Sequence, residues 1–167
     1  MCSSDLARRP HAREDPEDAL AGGPPPTPTP ETAPYWAAAT AGRLSIQRCL
    51  TCGRHYFYPR SFCPRCQSAE VEWTDVSGRG RLISYVINYR PMPPADGDVP
   101  QVIALVELEE GVRMMTNIVG SPAEPEALPL DAPVSVAFEP RGDLKVPVFR
   151  LDTALPLDTA LPREAVR

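Results

Sequence analysis

The chain has 167 residues, 22 of them proline, and a formal net charge of −5 at pH 7. This length supplies one modest core or two small modules, but the proline content argues against one continuous compact domain. No apolar run approaches the roughly 20 residues of a membrane-spanning helix, and the N-terminus lacks the apolar core of a secretion signal. We therefore expect a soluble, cytoplasmic protein with no membrane partner.

Both ends of the chain are predicted to be flexible. Residues 1–33 combine mixed charges with a proline-rich run at 22–30, a composition typical of a disordered, solvated tail. Residues 151–167 contain two copies of the hexapeptide Leu-Asp-Thr-Ala-Leu-Pro, too few to build a solenoid. We interpret this second segment as a flexible C-terminal tail.

A short helix is expected at residues 34–42, because Pro34 suits a first helical turn, alanines follow, and Gly42 ends the run. The helix carries Tyr35 and Trp36. Two roles stay open for this pair. The rings could pack against the next module, or they could anchor a partner subunit, since aromatic residues are favoured at interface centres.

Two Cys-x-x-Cys pairs, Cys49 with Cys52 and Cys63 with Cys66, are separated by ten residues. Two such knuckles can place four thiolates around one zinc ion, which predicts a zinc ribbon and, with the helix, a module at 34–75. Two disulfides would need an oxidising compartment, and a redox pair would leave one Cys-x-x-Cys without a role. Because four thiolates leave no open coordination position, we interpret the zinc as structural.

A small metal module needs apolar cover, because its own core is thin. The residues available for this cover are Leu44, Ile46, Tyr56, Phe57, Tyr58, Phe62 and Trp73.

From residue 76 to 150 the sequence alternates with a period of two and is rich in β-branched and aromatic residues. Five strands are predicted, at 82–89, 101–108, 112–119, 134–138 and 146–149. A tight hairpin at 109–111 joins the second and third strands, and a long loop at 91–100 follows the first. No helical stretch supports a parallel sheet, so we expect a five-stranded OB-fold barrel, with an SH3-like barrel as the alternative.

The predicted fold class is therefore mainly β: a short N-terminal helix, a zinc ribbon, then the OB-fold barrel. Gly78 and Gly80 precede the first barrel strand, where a bulge or a close backbone approach is expected.

Few residues offer catalytic chemistry. The two histidines are His11 in the tail and His55 in the ribbon, and Cys2 is isolated near the N-terminus. No nucleophile with an adjacent base can be assembled from these residues. We predict that the chain is not itself an enzyme.

A series of separated motifs runs through both modules: Tyr35-Trp36, Gly42-Arg43-Leu44, Gln47-Arg48-Cys49, Pro59-Arg60, Cys63-Pro64-Arg65-Cys66, Ser77-Gly78-Arg79-Gly80, 106–111 and Pro147-Val148-Phe149-Arg150. In type and order these motifs resemble the DUF35 family, whose members have a rubredoxin-like zinc ribbon followed by an OB-fold domain. The resemblance spans about residues 34 to 150. One departure lies at 130–134, where the family usually has a glycine before the strand.

The resemblance implies a non-catalytic accessory subunit. Members of this family look like partners of thiolases, lipid-transfer-protein-like aldolases or related acyl-CoA enzymes, and some also bridge to a hydratase. The barrel would then border, and shield or channel, an acyl-CoA intermediate. On this basis we expect the helix with Tyr35 and Trp36 to dock with the ribbon onto a thiolase-like subunit.

The competing class is a stand-alone nucleic-acid-binding protein, since zinc ribbons and OB folds often bind single strands. Acidic and basic side chains nearly cancel over residues 43–150, which argues against a phosphate-neutralising stripe. Five arginines do cluster along the ribbon. They would offset the charge of a zinc tetrathiolate and meet an acidic partner surface or a CoA phosphate: Arg43, Arg48, Arg54, Arg60 and Arg65.

Overall fold

The computed structural model describes residues 25–90, 100–120 and 125–152. The helix and strands of these residues are α1 (Ala33–Thr40), β1 (Ser45–Cys49), β2 (His55–Tyr56), β3 (Val71–Asp75), β4 (Arg79–Asn88), β5 (Gln101–Leu108), β6 (Arg113–Ile118), β7 (Pro133–Arg141) and β8 (Leu144–Leu151). A 3-10 helix at Pro125–Ala127 lies between β6 and β7. The strands form a three-stranded sheet and a closed five-stranded barrel, which confirms the predicted fold class.

Three predicted segments fall on residues outside this description. These are most of the N-terminal tail (1–24), the loop after the first barrel strand (91–99) and the C-terminal tail (153–167). The tail boundaries and the loop therefore stay predictions. No helix in the described ranges is long and apolar enough to cross a membrane.

Helix α1 forms where the sequence predicted it. A turn precedes it, in which the Ala33 backbone N–H donates to the Thr29 carbonyl oxygen at 2.8 Å. Its buried face consists of Tyr35, Ala38 and Ala39, and it packs against β8 and β1. The helix thus lies where the ribbon and the barrel meet.

The ribbon sheet has the strand order β2-β1-β3. Strand β1 is the central strand, and its Gln47 is paired with Tyr56 on one side and Trp73 on the other. Leu44 and Ile46 are buried in the same cluster as Tyr35 and the barrel core. The ribbon therefore shares its apolar core with the barrel, which compensates for its small size.

The barrel has the strand order β4-β5-β6-β8-β7 and closes between β4 and β7. Strand β5 shows the alternation expected of a barrel strand, with Val102, Ala104, Val106 and Leu108 buried inside. The hairpin at 109–111 is confirmed, because the Leu108 backbone N–H donates to the Val112 carbonyl oxygen at 2.8 Å.

Strands β7 and β8 are longer than the sequence predicted, and a tight turn with Gly142 at φ +58° joins them. The residues added at the turn, Glu139-Pro140-Arg141 and Leu144-Lys145, lack the β-branched pattern from which strands are predicted. Strand β8 tolerates Pro147 because its pairing with β6 is limited to Ile118 with Phe149.

The expected close backbone approach at Gly80 is confirmed. A Cβ atom at this position would collide with the carbonyl oxygen of Glu107 on β5. Gly78 has φ +70°, and a Cβ there would collide with the Val136 side chain. A register shift between Leu82 and Ser84 follows in the same strand. The entry of β4 into the barrel therefore depends on residues without side chains.

We predict that Gly80→Ala destabilises the barrel, because the added methyl group meets backbone atoms that cannot move independently of β5. The free energy of unfolding should fall by about 1 to 3 kcal/mol, as for overpacked cores. Urea denaturation measures this difference. Ser84→Ala, at an exposed position of the same strand, is the control. Its free energy of unfolding should stay within about 0.5 kcal/mol of the wild-type value. Equal stability of the two variants would contradict the prediction.

Candidate metal centre of the ribbon

The structure brings all four predicted cysteines together. Their Sγ atoms lie within 4.8 Å of one another. The Sγ atoms are 3.5 Å apart for Cys49 and Cys66 and 3.7 Å apart for Cys52 and Cys63. A tetrahedron with Zn–S bonds of about 2.3 Å has edges of about 3.8 Å, so the four free thiols fit a tetrathiolate zinc site.

Each Cys-x-x-Cys pair sits in the same kind of turn. The Gly53 backbone N–H donates to the Cys49 carbonyl oxygen at 2.8 Å, and the Gln67 backbone N–H donates to the Cys63 carbonyl oxygen at 3.0 Å. Gly53 and Gln67 are both left-handed, with φ +71° and +61°. These two turns aim the sulfur pairs at each other. Each of these two residues directly follows the second cysteine of its pair.

Backbone hydrogen bonds favour thiolates on both knuckles. The Cys52 backbone N–H is the main cause that lowers the pKa of the Cys49 thiol to about 6, and the Cys66 backbone N–H likewise lowers the pKa of Cys63. A Ser68 backbone hydrogen bond lowers the pKa of Cys66, but partial burial and bonds to neighbouring sulfurs outweigh it and raise that pKa to about 12. A bound cation would displace this remaining proton, since metals bind the thiolate.

One side of the sulfur cluster is covered by protein. Cys49 and Cys63 are fully buried and pack with Tyr56 and the half-buried Val71. Burial, with the negative charge of Cys63 and Cys49, raises the pKa of the Tyr56 hydroxyl. His55 lies on β2 and does not belong to the one candidate metal group of the described residues.

Tyr35 and Trp36 belong to a series of aromatic rings that connects α1 to the ribbon. The ring centroids are 4.9 Å apart for Tyr35 and Trp36, 5.4 Å for Tyr35 and Phe57, and 4.5 Å for Phe57 and Tyr58. Tyr35 is 7% exposed, and burial followed by its proximity to Tyr58 raises its pKa. The assignment of Tyr35 and Trp36 to partner binding stays a prediction.

Two residues expected to cover the metal site point to solvent instead. Tyr58 is 60% exposed and Phe62 is 48% exposed, whereas Tyr56 is buried. Both lie in the segment of residues 57–62 that leads into the second knuckle, which we call the ribbon loop. Its course is fixed by Gln47, a buried residue of β1 whose Oε1 accepts a hydrogen bond from the Arg60 backbone N–H at 2.6 Å. The sequence carried no sign of this role for Gln47.

Two family models match the chain in tandem. The model of the ChsH2 rubredoxin-like zinc ribbon domain matches residues 36–72, and the model of the ChsH2 C-terminal OB-fold domain matches residues 73–139. Together the two models cover more than half of the chain. The barrel is therefore of the OB-fold type, and the SH3-like alternative is set aside.

Similar curated proteins carry names of acyl-CoA enzymes or scaffolds. The chain is 37% identical over 121 residues to a probable enoyl-CoA hydratase alpha subunit of Thermomonospora curvata, covering 72% of this chain and 37% of that protein. It is 34% identical over 96 residues to a DUF35 domain-containing scaffold protein of Methanothermobacter thermautotrophicus, covering 57% and 71%. Benzoylsuccinyl-CoA thiolase subunit BbsA of Thauera aromatica is 31% identical over 86 residues, covering 52% and 58%. The chain thus spans little more than a third of the hydratase subunit.

A solved structure provides a match over nearly a whole chain. One chain of the Ltp2-ChsH2(DUF35) aldolase superposes with a TM-score of 0.69 and 36% sequence identity. The superposition covers 76% of this chain and 98% of that chain. The likeness therefore extends over both the ribbon and the barrel.

We predict that Gln47→Ala loosens the ribbon loop without disturbing the sulfur cluster. The Arg60 backbone N–H loses its acceptor, so its hydrogen exchange should accelerate and the free energy of unfolding should fall by about 1 to 2 kcal/mol. Hydrogen exchange measured separately for each backbone amide tests this prediction. The amide of Val106 in β5 is the internal reference and should keep its protection. Unchanged exchange at Arg60 would show that Gln47 does not hold the loop.

Proposed function

The chain belongs to the DUF35 family with ChsH2-type zinc-ribbon and OB-fold domains, and we propose that it is a non-catalytic accessory subunit that binds a thiolase-fold enzyme of acyl-CoA metabolism. One observation carries the proposal: 76% of this chain superposes on 98% of one chain of the Ltp2-ChsH2(DUF35) aldolase. The names of the scaffold protein and of the thiolase subunit point the same way. The thiolase-fold partner could be a thiolase, a lipid-transfer-protein-like aldolase or an acyltransferase.

The metal site supports a structural role for the ribbon. We propose that Cys49, Cys52, Cys63 and Cys66 hold one zinc ion. Four thiolates complete a tetrahedral shell and leave no position for water or substrate, so the ion would stabilise the fold and supply no catalysis. What the chain itself contributes is the placement of its surface, because the sulfur cluster fixes both knuckles and the end of β1 relative to each other.

The substrate side of the proposal rests on the relatives. They are named as subunits of a hydratase and of a thiolase, both of which act on CoA thioesters. We propose that the barrel borders the acyl-CoA intermediate on the partner and shields or channels it, in some assemblies toward a hydratase. The reaction is then performed by the partner, whose active site the accessory subunit completes or protects.

Replacement of Cys63 by serine should release the metal and unfold the ribbon. Zinc binding in such modules supplies on the order of 10 kcal/mol of folding free energy, which the three short ribbon strands cannot replace. Metal content by inductively coupled plasma mass spectrometry, with circular dichroism, measures both effects. Cys2→Ser, which changes a cysteine outside the four, should keep one zinc per chain. Stoichiometric zinc in Cys63→Ser would contradict the four-thiolate assignment.

The partner proposal is tested by affinity purification of the tagged full-length protein from lysate of its own organism, with mass-spectrometric identification. We expect a thiolase-fold protein in stoichiometric amount. The purified chain alone should not turn over acyl-CoA thioesters, and the recovered complex should. Co-purification of nucleic acid without such a protein would favour the nucleic-acid-binding alternative, and turnover by the chain alone would contradict the non-catalytic role.

A further inference from the structure

We infer that the ribbon loop, residues 57–62, is the docking element for the partner, and that Tyr58, Arg60 and Phe62 enter an apolar pocket with an acidic edge on the thiolase-fold subunit. This inference rests on the proposed function and identifies the surface of the chain that binds the partner. It moves the main contact from the helix residues Tyr35 and Trp36 to the adjacent loop.

The ribbon loop exposes two large aromatic side chains and an arginine. Tyr58 and Phe62 are 60% and 48% exposed, and Arg60 between them is also exposed. Phe57 and Pro59 are half-buried, and the residues from Arg60 to Phe62 are all exposed. Large aromatic and arginine side chains are the residues that carry most binding energy at protein interfaces. The loop therefore presents three such side chains in succession to solvent.

The loop is held in one course at three points. Phe57 packs on Tyr35 at its start, the Arg60 backbone N–H is bound by Gln47 in its middle, and the buried Cys63 of the sulfur cluster follows its end. A loop that is ordered before binding loses less conformational entropy when the partner arrives. This anchoring distinguishes an interface element from an exposed loop tip.

The charge at this end of the ribbon indicates the chemistry of the partner. Arg43 and Arg48 form ion pairs with Asp75 and Glu72 across the ribbon sheet. Arg60 forms no ion pair within the described part of the chain, and neither do two further exposed ribbon arginines, Arg54 and Arg65. In a chain of net charge −5 the exposed Arg60 of the loop, without an ion pair among the described residues, favours a carboxylate of a partner.

The ribbon loop is connected through aromatic contacts to helix α1, which the sequence analysis assigned to partner docking. The aromatic series from Trp36 through Tyr35 and Phe57 ends at Tyr58 on the surface. Buried Tyr35 thus contacts Phe57 at the start of the loop and half-buried Trp36 on the helix.

A rival surface lies on the outside of the barrel. Val86 on β4 and Met115 on β6 are 61% and 66% exposed. Arg81 and Arg113 of this face both form an ion pair with the Glu107 carboxylate, at 3.4 and 2.7 Å, whereas Arg60 of the ribbon loop has no such pair among the described residues. The barrel therefore offers exposed residues outside the ribbon loop, which serve as matched controls.

The test measures the dissociation constant for the purified thiolase-fold protein identified by co-purification, with the zinc-loaded full-length chain, by isothermal titration calorimetry. Tyr58→Ala and Arg60→Ala should each weaken binding about tenfold or more. Met115→Ala, at a similarly exposed apolar residue, and Arg150→Ala, at an exposed barrel arginine without an ion pair in the described residues, should change it less than about twofold. The loss for Arg60→Ala should shrink at high salt, since salt screens exposed charge pairs.

Zinc content and unfolding midpoint are recorded for every variant, so that lost binding is not mistaken for lost folding. Wild-type binding that the loop variants retain, with losses at Met115→Ala instead, would overturn the inference and leave the proposed function in place. No binding of any thiolase-fold protein by the wild type would overturn both. Binding of a fluorescent single-stranded oligonucleotide that Tyr58→Ala abolishes, without effect on the protein partner, would reassign the loop to nucleic acid and overturn the inference as well.

Discussion

The convergence of four cysteine sulfurs is the constraint on which the ribbon depends. Strand β2 has two residues, and β1 and β3 have five each, so the ribbon sheet alone buries little apolar surface. Two left-handed turns, at Gly53 and Gln67, bring the sulfur pairs within the span of one tetrahedral ion. A structural metal is the common physical solution for a module of this size.

The same constraint determines what the ribbon presents to solvent. The ribbon loop leads directly into Cys63, so the sulfur cluster fixes its end while Gln47 fixes its middle. The shared core of Tyr35, Leu44 and Leu82 then orients the ribbon on the barrel. An accessory subunit needs this combination of a rigid frame and an exposed aromatic and cationic edge, because pre-organisation strengthens binding without further contacts.

Local patterns predicted most of the fold. The cysteine spacing, the period-two strands and the Pro34 and Gly42 signals each act over a few residues, and the helix, ribbon and barrel follow from them. The lengths of β7 and β8 were not predicted, because Glu139-Pro140-Arg141 and Leu144-Lys145 lack the β-branched pattern and pair only beside the tight turn at Gly142. The exposure of Tyr58 and Phe62 could not be predicted either. It depends on a hydrogen bond between Gln47 and Arg60, 13 residues apart, for which the sequence has no local signal. Partner binding by Tyr35 and Trp36 stays untested.

The most direct measurement of the account is partner binding by one preparation before and after metal removal. The thiolase-fold protein would be immobilised, and the chain would be passed over it zinc-loaded, after chelation, and after return of one equivalent of zinc. If the sulfur cluster holds the docking surface, binding should be lost on chelation and restored by zinc, while the β5 amides of the barrel keep their exchange protection. Equal affinity of the metal-free chain would contradict the account.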